Sequence, residues 1–214
     1  MIVFVESNFI LELVYRQEQS GSAAQILGFA KDRKIKLVLP SFSLVESLET
    51  IRRRTLETEK TLAELEKFRQ RSGRTKERRR LAGLIGTVTG SVRTVDQAAN
   101  RNYPVVLRKL VKYATRIELS EQIIMNSFKL EADARLKRPD AIILASIIAD
   151  LTKRRGHELK LFVSRDNKDF GRPEVGKELK QSNCLFLSDF RDAVRRIRSE
   201  SKKSSIRVGK DLAR

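Results

Sequence analysis

The sequence predicts an α/β fold: a central parallel sheet between two helical layers, with a long helical hairpin inserted after the second strand. Three observations predict it. Short apolar runs rich in Val, Ile, Leu and Phe recur along the 214 residues and read as continuous rather than alternating, as strands covered on both faces do. Helical stretches separate these runs, so successive strands need crossover connections and run parallel. Between the second and third runs lies far more helix-patterned sequence than a crossover requires.

The elements follow in chain order. The first strand is Ile2–Val5 (IVFV), and Glu6 ends it. The second is 37–39, closed by Pro40. No Gly or Pro then occurs until Gly73, and Leu44, Leu48, Ile51, Thr55, Thr58, Leu62 and Leu65 recur at steps of three and four as one apolar stripe. At 1.5 Å per residue, a helix of about 30 residues reaches ~45 Å. Residues 71–80 (RSGRTKERRR) make the turn with six basic side chains against one acid. Leu81, Leu84, Ile85, Val88, Val92 and Val95 continue at helical spacing, with Gly83, Gly86 and Gly90 among them. Each Gly costs a helix roughly 1 kcal/mol against Ala, which predicts a small-residue face in close helix contact. The hairpin is expected from Glu49 to about Gln97, broken at 100–104, with further helices leading to Asp140. A third strand at 159–164, a fourth at Cys184–Leu187 and a helix from about Ser188 complete the domain. It spans 1–198, with 51–116 as the helical insertion. From 199 to 214 apolar residues are few, and a mobile basic tail is expected.

Composition narrows the function. With 40% hydrophobic and 34% charged residues the chain is that of a folded globular protein. Its net charge of +18 favours a polyanionic partner, nucleic acid foremost. No segment is apolar for long enough to span a bilayer, and the acid in IVFVE interrupts what would be a signal-peptide core. Cys184, in CLFL, is the single cysteine and reads as a reduced core residue. A cytoplasmic protein with no membrane partner is expected. The single histidine, His157, stands in the polar turn RRGHEL and reads as a surface residue. Scarcity of His and Cys leaves zinc unsupported, and without G-x-x-x-x-G-K-[ST] nucleotide hydrolysis by a P-loop is not indicated.

Four carboxylates carry the chemistry. Glu6 ends the first strand, Glu46 lies just beyond the second, Asp140 opens the helix DAIILASIIADL, and Asp166 follows the third strand. In an open α/β sheet, strand ends and helix starts converge on one crevice. Acids brought there from remote parts of the chain repel one another unless a cation sits among them, the layout of a Mg²⁺ or Mn²⁺ site. Each also has a local explanation. Ser43 and Glu46 form the S-x-x-E of a capping box. Asp140, next to Pro139, suits the first turn of a helix. Asp166 and Asp169 in SRDNKDF suit a turn. Glu6 is harder to account for, because an acid directly after a buried strand needs a partner. Arg165 and Lys168 flank Asp166 and are expected to meet either substrate phosphates or solvent.

Together, FVESN, Glu46, PDAIILASIIAD and FVSRDNKDF resemble the PIN-domain family of metal-dependent ribonucleases. The resemblance covers residues 1–50 and about 117–190, and leaves 51–116 unexplained. It implies a three-layer α/β/α PIN-like fold with a central parallel sheet, in which acids hold one or two Mg²⁺ or Mn²⁺ ions. It puts Glu6, Glu46, Asp140 and Asp166 on the catalytic and metal-binding positions, Asp169 on a fifth metal-binding one, and Asn8 and Ser164 in support. Glu6 stands where the family usually has Asp. The expected activity is metal-dependent endonucleolytic cleavage of single-stranded RNA, in the setting of a toxin–antitoxin pair. An antitoxin protein and a second copy of the chain are the further expected partners. Arg165, Lys168, Arg74, Lys76, Arg78, Arg79 and Arg80 are the expected nucleic-acid contacts. The alternatives are a non-catalytic PIN-like RNA-binding or assembly module, and a DNA-directed nuclease of the flap-processing type.

Overall fold

The computed structural model describes residues 1–72, 76–154, 156 and 158–211, with the backbone alone at 76, 77 and 202–211. The chain runs β1 (Ile2–Val5), α1 (Ser7–Tyr15), α2 (Ser20–Lys31), β2 (Lys36–Pro40), α3 (Ser41–Ser72), α4 (Lys76–Tyr113) and β3 (Ala114–Ile117). It continues through α5 (Glu121–Asp133), α6 (Arg138–Lys153), β4 (Lys160–Val163), α7 (Asn167–Phe170), α8 (Pro173–Gln181), β5 (Cys184–Leu187) and α9 (Phe190–Asp211). Among the described residues five strands form one sheet, in the order β3-β2-β1-β4-β5, and every pairing is parallel.

The continuous apolar reading of the strands has a direct structural cause. Successive side chains of a strand point to opposite faces, so a strand covered on both sides needs apolar residues throughout. Val3, Val5, Leu37, Leu39, Leu161 and Val163 enter one core with α1, α2, α9 and the C-terminal half of α4. Ile2, Phe4, Val38 and Phe162 enter the other with α5, α6 and α8. The result is the expected three-layer α/β/α sandwich. Cys184 is buried in the second core, and burial pushes its thiol up to about 12, so it stays protonated and inert.

The segment from 41 to 117 differs from expectation in four ways. First, β3 is a fifth strand where only helix was expected. ATRI hides its signal because it is an edge strand with one buried residue, Ile117. Second, α4 runs unbroken through 100–104 with Pro104 inside it. A proline there forfeits a helix hydrogen bond, but this part of α4 is anchored to the core. Ala99, Val106 and Leu110 are buried, Asn102 Nδ2 donates to Val14 O at 3.0 Å, and Tyr103 donates to Leu44 O at 2.8 Å. Third, the hairpin is longer than expected, with α3 starting at Ser41. Of its apolar stripe, Ile51 and Leu62 are buried while Leu48 is exposed. Fourth, the glycines do not line a close helix contact. A Cβ at Gly83 or Gly90 would meet nothing within 4 Å, and one at Gly86 only the Arg69 side chain at 3.9 Å. None of them has a positive φ. Gly83→Ala and Gly90→Ala are therefore expected to stabilise the fold by roughly 0.5–1 kcal/mol each, the helix-propensity difference, read as a higher denaturation midpoint.

Helix α9 reaches Asp211 and so covers most of the segment expected to be a tail. Arg74 and His157 lie outside the described residues. No helix of the described chain is long and apolar enough to cross a membrane.

Candidate metal centre

The chain leaves β1 for β2 and β3 on one side, then returns to β4 on the other, so the switch of direction falls beside β1. At that switch, loops after β1 and β4 diverge and leave a crevice at the strands' carboxyl ends. A cleft of about 570 Å³ lies there, lined among others by Glu6, Asn8, Glu46, Asp140 and Asp166. All four expected acids line it. Asp140, Asp166 and Asp169 offer carboxylate oxygens within 4.8 Å of one another.

Glu6 is the N-cap of α1. Its Oε2 accepts from Ser7 Oγ and from the Asn8 backbone N–H, both at 2.8 Å, whereas Oε1 is buried without a partner. The residue is 1% exposed, and burial, with Glu46 adding repulsion, pushes its carboxyl up to about 7. Glu46 lies within α3, whose first residue is Ser41, so the expected capping box with Ser43 does not form. Ser43 Oγ and Glu46 Oε2 are both buried without a partner. Burial raises the Glu46 pKa and Asp166 adds to the rise, against lowering by Ser7 and Arg53.

Asp140 is the third residue of α6, whose N-cap, Lys137, makes no side-chain cap hydrogen bond. A helix N-terminus lowers a carboxyl pKa, yet the Asp140 carboxyl is pushed up to about 7, by burial first and then by Glu46, Asp166 and Asp169. Burial and crowding by other acids outweigh the dipole. Asp166 is a true cap: its Oδ1 accepts from Asp169 N at 2.9 Å, while its own N–H donates to Ser164 Oγ at 3.0 Å. Ser164, buried, thus fixes the loop that carries Asp166. Asp169 is also buried, and Arg172 Nη2 donates to its Oδ1 at 2.5 Å.

The two cations flanking Asp166 are placed differently. Arg165 is paired with buried Glu12 and, at 3.4 Å, with Glu18, so its charge is neutralised by the protein. Lys168 is exposed beside Arg172, whose Nε donates to the Lys168 carbonyl at 3.1 Å. Arg78, Arg79 and Arg80 are exposed at the start of α4; Lys76 opens that helix.

Sequence reasoning missed the cations of the cleft itself. Arg53, Arg54 and Lys137 line it, and no carboxylate lies within ion-pair distance of them among the described residues. The Arg54 guanidinium lies 5.2 Å from the Tyr15 ring centroid. Their signal was present: Arg53 follows Glu46 by seven residues, two helical turns on the same face, and Lys137 precedes Asp140 by three. Arg172 was missed too, although it follows Asp169 by three. Its Nη1 also donates to Ala134 O and to Arg135 O at 3.3 and 2.7 Å, so it ties the Asp169 loop to the segment entering α6.

The donors are all hard oxygens from separate chain segments, with two buried carboxylate oxygens left unpartnered. That set fits Mg²⁺ or Mn²⁺ and does not fit zinc. Among solved structures, the Rickettsia felis VapBC2 complex bound to a DNA fragment from its promoter aligns with a TM-score of 0.44 and 12% identity, over 87% of this chain and 98% of that one. No curated protein matches the sequence. The family model described as PIN domain matches residues 3–170. That match takes in β1, the hairpin, α6 and the β4–α7 loop, and with them the four acids of the cleft and Asp169. The chain belongs to the PIN-domain family.

Proposed function

We propose that the protein is a divalent-metal-dependent endoribonuclease acting on single-stranded RNA, with Glu6, Glu46, Asp140, Asp166 and Asp169 as its metal-binding acids. The observation that carries the reading is the meeting of Asp140, Asp166 and Asp169 within 4.8 Å in a cleft that Glu6 and Glu46 also line. The acids would hold a Mg²⁺ or Mn²⁺ ion, which would supply an activated water and charge neutralisation at the scissile phosphate. The chain's own residues prepare that chemistry. Ser7, Asn8 and Ser164 hold the acids in place, Asp166 orients its loop as a cap, and Arg172 steadies Asp169. Arg53, Arg54 and Lys137, free of carboxylate partners, suit the phosphates flanking the acids, and Arg78, Arg79 and Arg80 suit phosphates farther along the strand.

Cleavage of single-stranded RNA with Mn²⁺, abolished by excess EDTA, tests the assignment. A second expectation separates binding from chemistry. Replacing Arg53, Arg54 and Lys137 together by Ala should raise KM about tenfold or more with a smaller change in kcat. It should also flatten the log–log salt dependence of RNA binding by roughly 0.7 for each phosphate no longer neutralised.

A non-catalytic RNA-binding role is favoured by two observations: Arg172 already occupies Asp169, and burial raises the Glu6 pKa to about 7, which favours its neutral form. RNA binding retained without cleavage in any divalent metal would assign that role. We extend the first reading to the toxin of a toxin–antitoxin pair. Growth arrest on expression, relieved by co-expressing the product of a small neighbouring reading frame, tests that extension.

A further inference from the structure

We propose that the outer ridge of α4 docks a second copy of this chain, the two α4 helices crossing antiparallel with Val88 at the twofold axis. The ridge consists of Leu81, Leu84, Val88 and Val95, which are 42%, 59%, 53% and 56% exposed. These positions recur at three, four and seven residues, which sets them on one side of the helix. Such a row of large apolar side chains is costly to leave in water when nothing covers it.

Charge and symmetry select the occupant. From Leu81 to Val95 the one charged residue is Arg93, five residues from Val88 and so off the ridge's side of the helix, in a chain of net charge +18. An acidic partner would find no base there to pair with, and a nucleic acid no cation. A second copy brings the same neutral ridge and meets no like-charge repulsion across it. The ridge is also self-complementary. About Val88, Leu81 is matched by Val95, and Leu84 by the half-buried Val92 beside the ridge, as a twofold contact between identical helices requires. Arg79 lies nine residues from Val88, ~14 Å along the axis. Antiparallel crossing therefore separates the two basic tips by up to ~27 Å, some three Debye lengths at physiological salt. Parallel pairing would bring those tips together.

The polar residues beside the ridge are already satisfied. Thr87 Oγ1 donates to Gly83 O at 3.3 Å, Ser91 Oγ to Thr87 O at 3.1 Å and Thr94 Oγ1 to Gly90 O at 3.0 Å. Covering them strands no hydroxyl proton, so burial forfeits little hydrogen bonding.

Light scattering of the full chain at about 100 µM, a concentration at which modest association is populated, should return close to twice the protomer mass of 24.6 kDa. Val88→Arg and Val88→Asp should each return the monomer mass, because like charges would meet at the axis. An equimolar mixture of the two should return the dimer. Leu185→Arg, at an exposed residue of β5, should leave the wild-type dimer intact. A wild type that is monomeric at this concentration would overturn the proposal. So would a dimer that survives both Val88 substitutions, or a mixture that stays monomeric although each variant alone melts as wild type does.

Discussion

Asp140→Asn is expected to reduce Mn²⁺-dependent RNA cleavage by at least roughly 10²–10³-fold, the scale of losing one group that stabilises developing charge at a reacting centre. Asp140 is the most exacting choice because Glu46, Asp166 and Asp169 all raise its proton affinity, so it stands where the other acids converge. Asn preserves its shape and its place in the first turn of α6 while removing the charge. The α6 N-terminus carries no side-chain cap for the substitution to break, so the variant should fold, and its metal-free melting temperature should not fall. If Asp140 were only a favourable dipole partner, the same change would cost ~0.3–1 kcal/mol of stability and leave cleavage untouched. Full activity of the variant, or of wild type in excess EDTA, would refute the assignment.

The second large effect is on stability against pH. The folded-state pKa values of Glu6 and Asp140 are both raised to about 7 from 4.5 and 3.8. A raised carboxyl pKa means that the folded state binds protons more tightly than the unfolded one. Stability from this source is fully present below about pH 4 and is lost as pH rises through about 7. For fully buried Glu6 alone the shift corresponds to about 3 kcal/mol, at 1.36 kcal/mol per unit. Metal-free protein should therefore melt lower at pH 8 than at pH 5.5. Saturating Mn²⁺ should reverse that order, because the ion replaces the proton as the acids' partner and binds better as they ionise. Asp166→Asn keeps the oxygen that caps α7 yet removes one repelling charge, so its metal-free melting temperature at pH 8 should exceed that of wild type. Asp166→Ala loses the cap as well and should fall below Asp166→Asn by about 1 kcal/mol. Thermal melts of the three proteins at the two pH values, with and without Mn²⁺, check the set. A metal-free wild type that is more stable at pH 8 than at pH 5.5 would contradict it.

The sheet was legible because strands buried on both faces must be apolar throughout, and Ile2–Val5 and Cys184–Leu187 are bounded as expected. β3 was not legible, because an edge strand with exposed Thr115 and Arg116 carries no such run. The passage of α4 through Pro104 was hidden for the opposite reason. Local propensity argued for a break, and buried Val106 and Leu110 together with the Asn102 and Tyr103 hydrogen bonds overrode it. At the site, the carboxylates could be found from strand ends and helix starts, because topology alone brings those places together. Their partners could not be found that way. Glu12 reaches Arg165 across 153 positions, and no local pattern announces such a pair. Arg53 and Lys137 join the cleft only once α3 and α6 are set side by side. The local roles of the acids differ: Glu46 caps nothing, Asp140 has a raised pKa where a dipole partner would have a lowered one, and Asp166 is both cap and cleft acid.

Calorimetric titration of the metal-free protein with Mn²⁺ at pH 7.5 tests the central claim most directly, since it asks about the acids without needing the right RNA. Wild type should bind one or two ions, with proton release that grows as the pH is lowered toward 7, and Asp140→Asn and Asp166→Asn should each lose at least tenfold in affinity. Equal binding by wild type and both variants, or no binding by any of them, would mean that these carboxylates do not form a metal centre.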